Sequence, residues 1–339
     1  MGDVVIRTNH PFSVKRNGYH ISPFLQELIV YAGQLDCYAG GSKVLKKFTD
    51  VQVCDAQIFR VTNTYGDRLL QETEPQRTLP PATRKDIVYV GVDGSLILTR
   101  EKEKQENNKT DKGWKEVKLC RIFKSGDCLH PKGKQGIIKQ SQYFASLGSL
   151  KEFTDPASDI IDSYGMLKNR LVFLCDGAPW IRNWIADNYP EAISILDYFH
   201  ACEYLYKFAE LFFTDKIEKE IWCKQQEQLL KESKVLDVID EIEKIGGAKI
   251  EDGVKVIKYY KNNVGRMDYK RYRQIGCGII GSGAIESAHR TVIQKRMKLS
   301  GQRWSKKGAK AIIILRTTDQ NLQWNNVIGL VRKEFVAAA

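Results

Sequence analysis

Two short apolar runs, the largely β-branched 87–92 and 171–175, each end at an aspartate, Asp93 and Asp176. Runs of this length and composition read as buried strands, and they commit the centre of the chain to a sheet. After Asp93 comes Gly94-Ser95 and a second short run, residues 96–99, which reads as the return strand of a β-hairpin. A charged loop (100–112) separates it from residues 114–123, which alternate well enough for a third strand. Helical spacing follows near 155–168, 178–188 and 200–213, with a further strand at 192–196. Three antiparallel strands followed by alternating strand and helix describe an α/β layered domain.

The chain has 339 residues, enough for about two domains at ~150 residues each. Apolar stretches are far shorter than the ~20 residues of a membrane helix, so no membrane partner is expected. Residues 1–7 lack a basic region followed by an apolar core. Export is therefore not expected, and the eight cysteines, with no C-x-x-C among them, read as reduced thiols.

Charge divides the chain. With 53 Lys+Arg against 41 Asp+Glu, the formal charge is +12. Residues 287–318 hold nine bases and no acid, whereas residues 214–252 hold eleven acids against seven bases in proline-free helical sequence. The first segment points to a polyanion, nucleic acid before a membrane surface. The second reads as a solvated helical insertion. At the amino end, Ser22-Pro23 opens one helical pattern, and residues 42–48 and 54–70 form two more across a break at Thr49-Asp50. A helix-turn-helix and a plain small bundle both fit that pattern. Pro75, Pro80 and Pro81 mark its end.

Asp93 and Asp176 stand where open α/β sheets place their ligands, and Glu286 follows a glycine-rich stretch at the start of a helix. Three hard oxygen donors from separate elements suit Mg²⁺ or Mn²⁺, and two such ions serve phosphodiester cleavage. Taken singly, each acid also reads as an ordinary helix or turn cap. The surrounding words decide between these. Cys175-Asp176-Gly177-Ala178-Pro179-Trp180-Ile181, Ile195-Leu196-Asp197-Tyr198-Phe199-His200, Gly281-Ser282-Gly283-Ala284-Ile285-Glu286-Ser287-Ala288 and Arg296-Met297-Lys298-Leu299-Ser300-Gly301-Gln302-Arg303-Trp304-Ser305 resemble, in order, the motifs of DDE transposases of bacterial insertion sequences. The nearest group is the ISKra type, distantly related to Mutator-like transposases. The resemblance runs from about residue 87 to 324.

It implies an RNase H-like catalytic core (84–213 and 276–330) interrupted by a helical insertion (214–275) and preceded by a small helical N-terminal region (1–80). It further implies Asp93, Asp176 and Glu286 as catalytic acids holding two Mg²⁺ or Mn²⁺ ions, and double-stranded DNA, both element ends and target, as partner. A homodimer or larger assembly in the bacterial cytoplasm, associated with the nucleoid, is the expected setting. Asp197 and His200 match the D-x-x-H pair of the wider group. His200 reads either as catalytic or as a buried histidine at the sheet edge, and Asp197 and His289 as supports of the metal-ligating carboxylates. A nuclease or resolvase that cuts without joining, and an inactive transposase-derived DNA-binding protein, are the alternatives.

Within the basic segment, Arg290, Lys295, Arg296, Lys298, Arg303, Lys306 and Lys307 are expected to grip the phosphate backbone, with Trp304 as a base-stacking residue. Spacings of three and four put Glu286, His289, Arg290, Ile293 and Arg296 or Met297 on one helix face. Trp180 and Trp184 read as core. The pattern Gly276-x-Gly278-x-x-Gly281 lacks a preceding βαβ strand and an acid ~20 residues further on, so it reads as a tight turn that lets Glu286 approach the aspartates, not as a dinucleotide site.

Overall fold

The computed structural model describes residues 15–72, 74–100, 113–129, 136–165 and 168–333. Residues 1–7 and nearly all of the charged loop, from 101 to 112, lie outside them. Three helices come first, α1 (Pro23–Leu35), α2 (Tyr38–Thr49) and α3 (Asp55–Glu72). The Ser22 hydroxyl accepts from the Leu25 N–H and Pro23 occupies the first turn, the capping start expected for α1. Asp50, left-handed at φ 55°, stops α2.

The centre holds β1 (Val88–Leu98), β2 (Trp114–Lys124), β3 (Cys128–Leu129), β4 (Ile137–Ile138), β5 (Gln142–Ser146), α4 (Lys151–Asp162), β6 (Leu171–Cys175), α5 (Pro179–Asn188), β7 (Ile193–Leu196) and α6 (Tyr198–Phe212). Five strands form one sheet in the order β5-β2-β1-β6-β7. β1, β2 and β5 pair antiparallel, and β6 and β7 continue in parallel from β1. β3 and β4 make a separate ribbon.

The hairpin expected at Gly94-Ser95 is absent. β1 runs unbroken through both residues, and its antiparallel partner is β2, with Asp93 opposite Leu119. Gly94 leaves room for the Glu116 carboxylate, which would have to swing aside for a Cβ there. The Gly-Ser pair thus mimics a turn signal while making room for a side chain from the neighbouring strand.

Alternation along the strands builds two cores. Val88, Val90 and Val92 of β1, with Phe173, pack against Phe153 and Ile160 of α4 and Ile181, Trp184 and Ile185 of α5. Tyr89, Val172 and Leu174 face the other way, toward α6 and toward α7 (Lys216–Lys231), α8 (Val235–Lys244) and α9 (Glu251–Asn263) of the insertion. The short α10 (Tyr269–Tyr272) precedes the glycine-rich stretch. One continuous helical rod then follows, α11 (Gly283–Ala288), a π-helical segment (His289–Gln294) and α12 (Lys295–Met297). It crosses the same face, where Ile285, Val292 and Ile293 bury against Ile97, Val117 and Leu119.

The chain closes with α13 (Lys306–Gln320) and α14 (Trp324–Arg332). They return to the amino end: Leu315, Val327, Leu330 and Val331 share one core with Ile29, Ile58, Val61 and Tyr65. All eight cysteines are free thiols. Among the described residues no helix is long and apolar enough to cross a membrane.

Candidate active site

Strand register brings the two aspartates together. In the parallel pair of β1 and β6, Val92 lies opposite Cys175, so the next residue on each strand is Asp93 or Asp176. Alternation turns both toward the face of Tyr89 and Leu174. The strands then behave differently. β1 continues, whereas β6 ends and the Asp176 Oδ1 accepts from the Ala178 N–H at 2.9 Å, an Asx turn leading into Pro179 of α5. Gly177 lies beneath α9, where a Cβ would stand 2.8 Å from the Tyr259 ring.

Asp93 Oδ1 accepts from the Gly94 N–H at 2.7 Å. Burial first, then the Asp176 charge, with Glu116 and Glu286 adding to it against the Gly94 hydrogen bond, push its carboxyl from 3.8 up to about 7. Asp176 is thus close enough to oppose the ionisation of Asp93. Glu286, exposed in the first turn of α11, accepts from the Ser282 hydroxyl. Among the described residues no three His, Cys, Asp or Glu side chains form a group placed to hold a metal ion.

Asp197 is a buried cap whose Oδ1 accepts the N–H groups of both Phe199 and Ser282 at 3.0 Å. The Tyr198 N–H donates to the Ile280 carbonyl at 3.0 Å. These bonds staple the glycine-rich loop to the end of β7 and so aim α11 across the sheet. Gly276 and Gly278 are left-handed, at φ 56° and 69°, as a tight turn there requires.

His289 is buried, its Nε2 3.3 Å from Asp93 Oδ2 but not aligned for a hydrogen bond. Burial, helped by the Lys298 charge, lowers its pKa to about 4, so the contact joins a neutral imidazole to the carboxyl and is no ion pair at neutral pH. His200 sits half-buried in the first turn of α6, its Nδ1 3.5 Å from Glu203 and its ring edge-on to Tyr204 and Tyr259. Tyr259, which covers Gly177, links it to the second aspartate.

Three residues of this neighbourhood escaped the sequence. Glu116 lay inside a run read only for its alternation. Tyr259 and Arg266 come from the insertion, and nothing local says that it folds back over β6. Arg266 Nη2 donates to the Asp176 carbonyl at 3.3 Å and lies 3.0 Å from Cys175 Sγ.

The basic segment needs correction. Arg296 is 1 % exposed, so it offers no open surface to the backbone of a duplex; its Nε donates to the Gly33 carbonyl at 3.0 Å, and the guanidinium lies between the rings of Tyr38 and Trp304. Trp304 is itself buried, with its indole N–H donating to the Met297 carbonyl at 3.0 Å, so it is no open stacking platform. Helical spacing alone did not register that the rod runs beneath the N-terminal helices, which turn these two residues into an interface. Lys307 pairs with Asp67 at 2.7 Å. Arg290, Lys295, Lys298 and Arg303 are exposed, and Lys306 is half-buried. Trp184 is core, edge-on to Phe153 and Phe173.

No curated protein matches the chain. Among solved structures, the Drosophila P element transposase strand transfer complex is similar at 10% identity and a TM-score of 0.32, over 94% of this chain and 82% of that one, a likeness too distant to bear on fold or activity. A family model described as an uncharacterised protein family, UPF0236, matches residues 18–329, and the chain belongs to that family.

Proposed function

We propose that the chain is a DDE-type transposase of the ISKra kind, built on an RNase H-like core, that cuts DNA at the ends of an insertion sequence and joins the freed 3′-hydroxyl to target DNA. The observation that carries this reading is the pairing of Asp93 and Asp176 on adjacent parallel strands, with Glu286 delivered from a helix over the same face. The four ordered motifs around these acids agree with it, as does the strand order, an antiparallel trio extended by two parallel strands.

The donors are carboxylate oxygens, the chemistry that Mg²⁺ and Mn²⁺ prefer, with burial and then the Asp176 charge holding Asp93 partly protonated near neutral pH; the three side chains would have to draw closer to share an ion. Asp93, Asp176 and Glu286 would hold the ions, which when bound supply charge neutralisation and activation of the attacking oxygen. The chain's own residues orient. Asp197 fixes the loop that carries Glu286, His289 packs against Asp93 and keeps water from that side, and Arg266 braces the turn after β6. Arg290, Lys295 and Lys298, on the helical rod that carries Glu286, hold phosphates of the DNA backbone. In the displacement one P–O bond forms as another breaks, and positioning and charge neutralisation account for the rate.

The test is incubation with duplexes from the DNA flanking the gene, a target plasmid and Mn²⁺. Joined product is expected, and Asp93→Asn, Asp176→Asn or Glu286→Gln should each lower it by more than about 100-fold, beyond the range seen for supporting residues. Cleavage without joining would select the nuclease reading. Unchanged activity in all three variants would remove these acids from the mechanism.

A further inference from the structure

Where the basic segment meets the N-terminal helices lies a cavity of about 390 Å³ that none of the chemistry above uses. Tyr38, Phe59 and Trp304 supply aromatic lining, and Arg100, Arg296 and Arg303 supply positive charge. Arg296 is the telling member. Its Nε is bound to Gly33, and its Nη1 meets the Gln302 amide oxygen at 3.2 Å when that amide is turned so that its nitrogen donates to the Arg296 carbonyl. Its Nη2 is buried without a hydrogen-bond partner, although the residue is 1 % exposed. A buried guanidinium donor normally finds an acceptor, and here it lines a cavity large enough to bring one. Phe59, by contrast, is 47 % exposed, an aromatic left open to solvent at the same cavity.

We propose that this cavity binds a single nucleotide unit, its base against Phe59 and Tyr38 and its phosphate against the arginines. Aromatic faces recognise any base through its π surface, and guanidinium groups bind phosphate oxygens in a fork. Asp55, also at the cavity, accepts from the Ala56 N–H at 2.9 Å and adds an acceptor for a base amino group. The site is remote from the acids. Thr99 bridges to Trp304 and the Arg100 N–H donates to the Trp304 carbonyl, so it lies six strand residues beyond Asp93, about 20 Å along β1. The nucleotide comes either from DNA, as an unpaired residue, or from solution.

Two measurements on the full chain test this. Calorimetric titration with dAMP should show binding, weakened about tenfold by Phe59→Ala and by Arg100→Gln, since one base–aromatic contact is worth about 1–3 kcal/mol. Both side chains reach solvent, so neither change threatens the fold as Arg296→Ala does. Fluorescence anisotropy should then show a duplex carrying one unpaired nucleotide binding about tenfold tighter than the fully paired duplex, a preference lost in the same variants. That preference identifies DNA as the source. Binding of dAMP without it identifies a free nucleotide, and binding of dAMP by a chain that holds no DNA sinks the transposase reading while leaving the pocket standing. Inorganic phosphate binding as tightly as dAMP, or no response to either variant in both assays, overturns the proposal.

Discussion

At the scale of single residues, Asp93 and His289 titrate against each other's trend. Asp93 is raised to about 7, so between pH 3.8 and 7 the folded chain binds a proton that the unfolded chain has released, and this group's contribution to stability falls as pH rises. His289 is lowered to about 4, so between pH 4 and 6.5 the unfolded chain binds the extra proton, and stability is lost as pH falls. The two slopes oppose each other in nearly the same window. Each is at most about 1.4 kcal/mol per pH unit, with that of Asp93 reduced because its side chain is 34% exposed. In EDTA, urea titrations of single-site variants against the wild type separate the two contributions. Asp93→Asn should make stability fall on acidification, and His289→Gln should make it fall on alkalinisation; parallel profiles in the two variants would break the pairing. Asp93→Asn should also be more stable than wild type at pH 8, because it removes a charge opposed by burial and by Asp176. Mn²⁺ should stabilise the wild type by about 2.7 kcal/mol at 100 times its dissociation constant, read as a higher melting temperature, and leave Asp93→Asn nearly unmoved.

At the scale of elements, the π-helical segment and the end of α1 are held by one residue. Arg316 of α13 donates from Nε to the Val292 carbonyl at 2.7 Å, from Nη2 to the Thr291 carbonyl, and from Nη1 to the Gln34 carbonyl at 2.8 Å. A wide turn leaves carbonyls without helical donors, and α1 has no basic residue of its own in its last turn. The guanidinium answers both, a cation at a helix carboxyl end. Burial lowers Arg316 only to about 10, so it stays charged at neutral pH. Arg316→Met should cost about 3 kcal/mol or more, since three carbonyls lose their donor, and Arg316→Lys should recover little because one ammonium cannot span them. Chemical denaturation measures both. Asp197 belongs to this scale too. Asp197→Asn keeps the acceptor for the Phe199 and Ser282 N–H groups, whereas Asp197→Ala should loosen the loop and lower DNA cleavage about 10–100-fold. An equal loss in both variants would point to the charge in place of the hydrogen bonds.

At the scale of the whole molecule, the charge of +12 is narrower in use than in count. Of the nine bases in residues 287–318, Arg296 and Arg316 are buried, and Lys307 and Lys310 pair with Asp67 and Glu152. Replacing Arg290, Lys295 and Lys298 by Gln should flatten the salt dependence of DNA affinity by about 0.9 per residue. A slope unchanged in the triple variant would mean that the exposed bases serve solubility. By itself the sequence determined the elements: the strands around 87–93 and 171–176, the capped start of α1 and the helices between residues 216 and 263 are written in short-range period, capping and turn chemistry. Even there Gly94 misled, because a glycine that makes room for Glu116 and a glycine that makes a turn look the same in one strand. Only the tertiary structure decided that β1 runs on through Gly94 to pair with β2, that Glu116 and Arg266 stand beside the aspartates, and that Arg296, Trp304 and Arg316 join the two ends of the chain inside one core. Those facts depend on contacts between residues far apart in sequence, and no local pattern encodes which distant surface will cover a side chain.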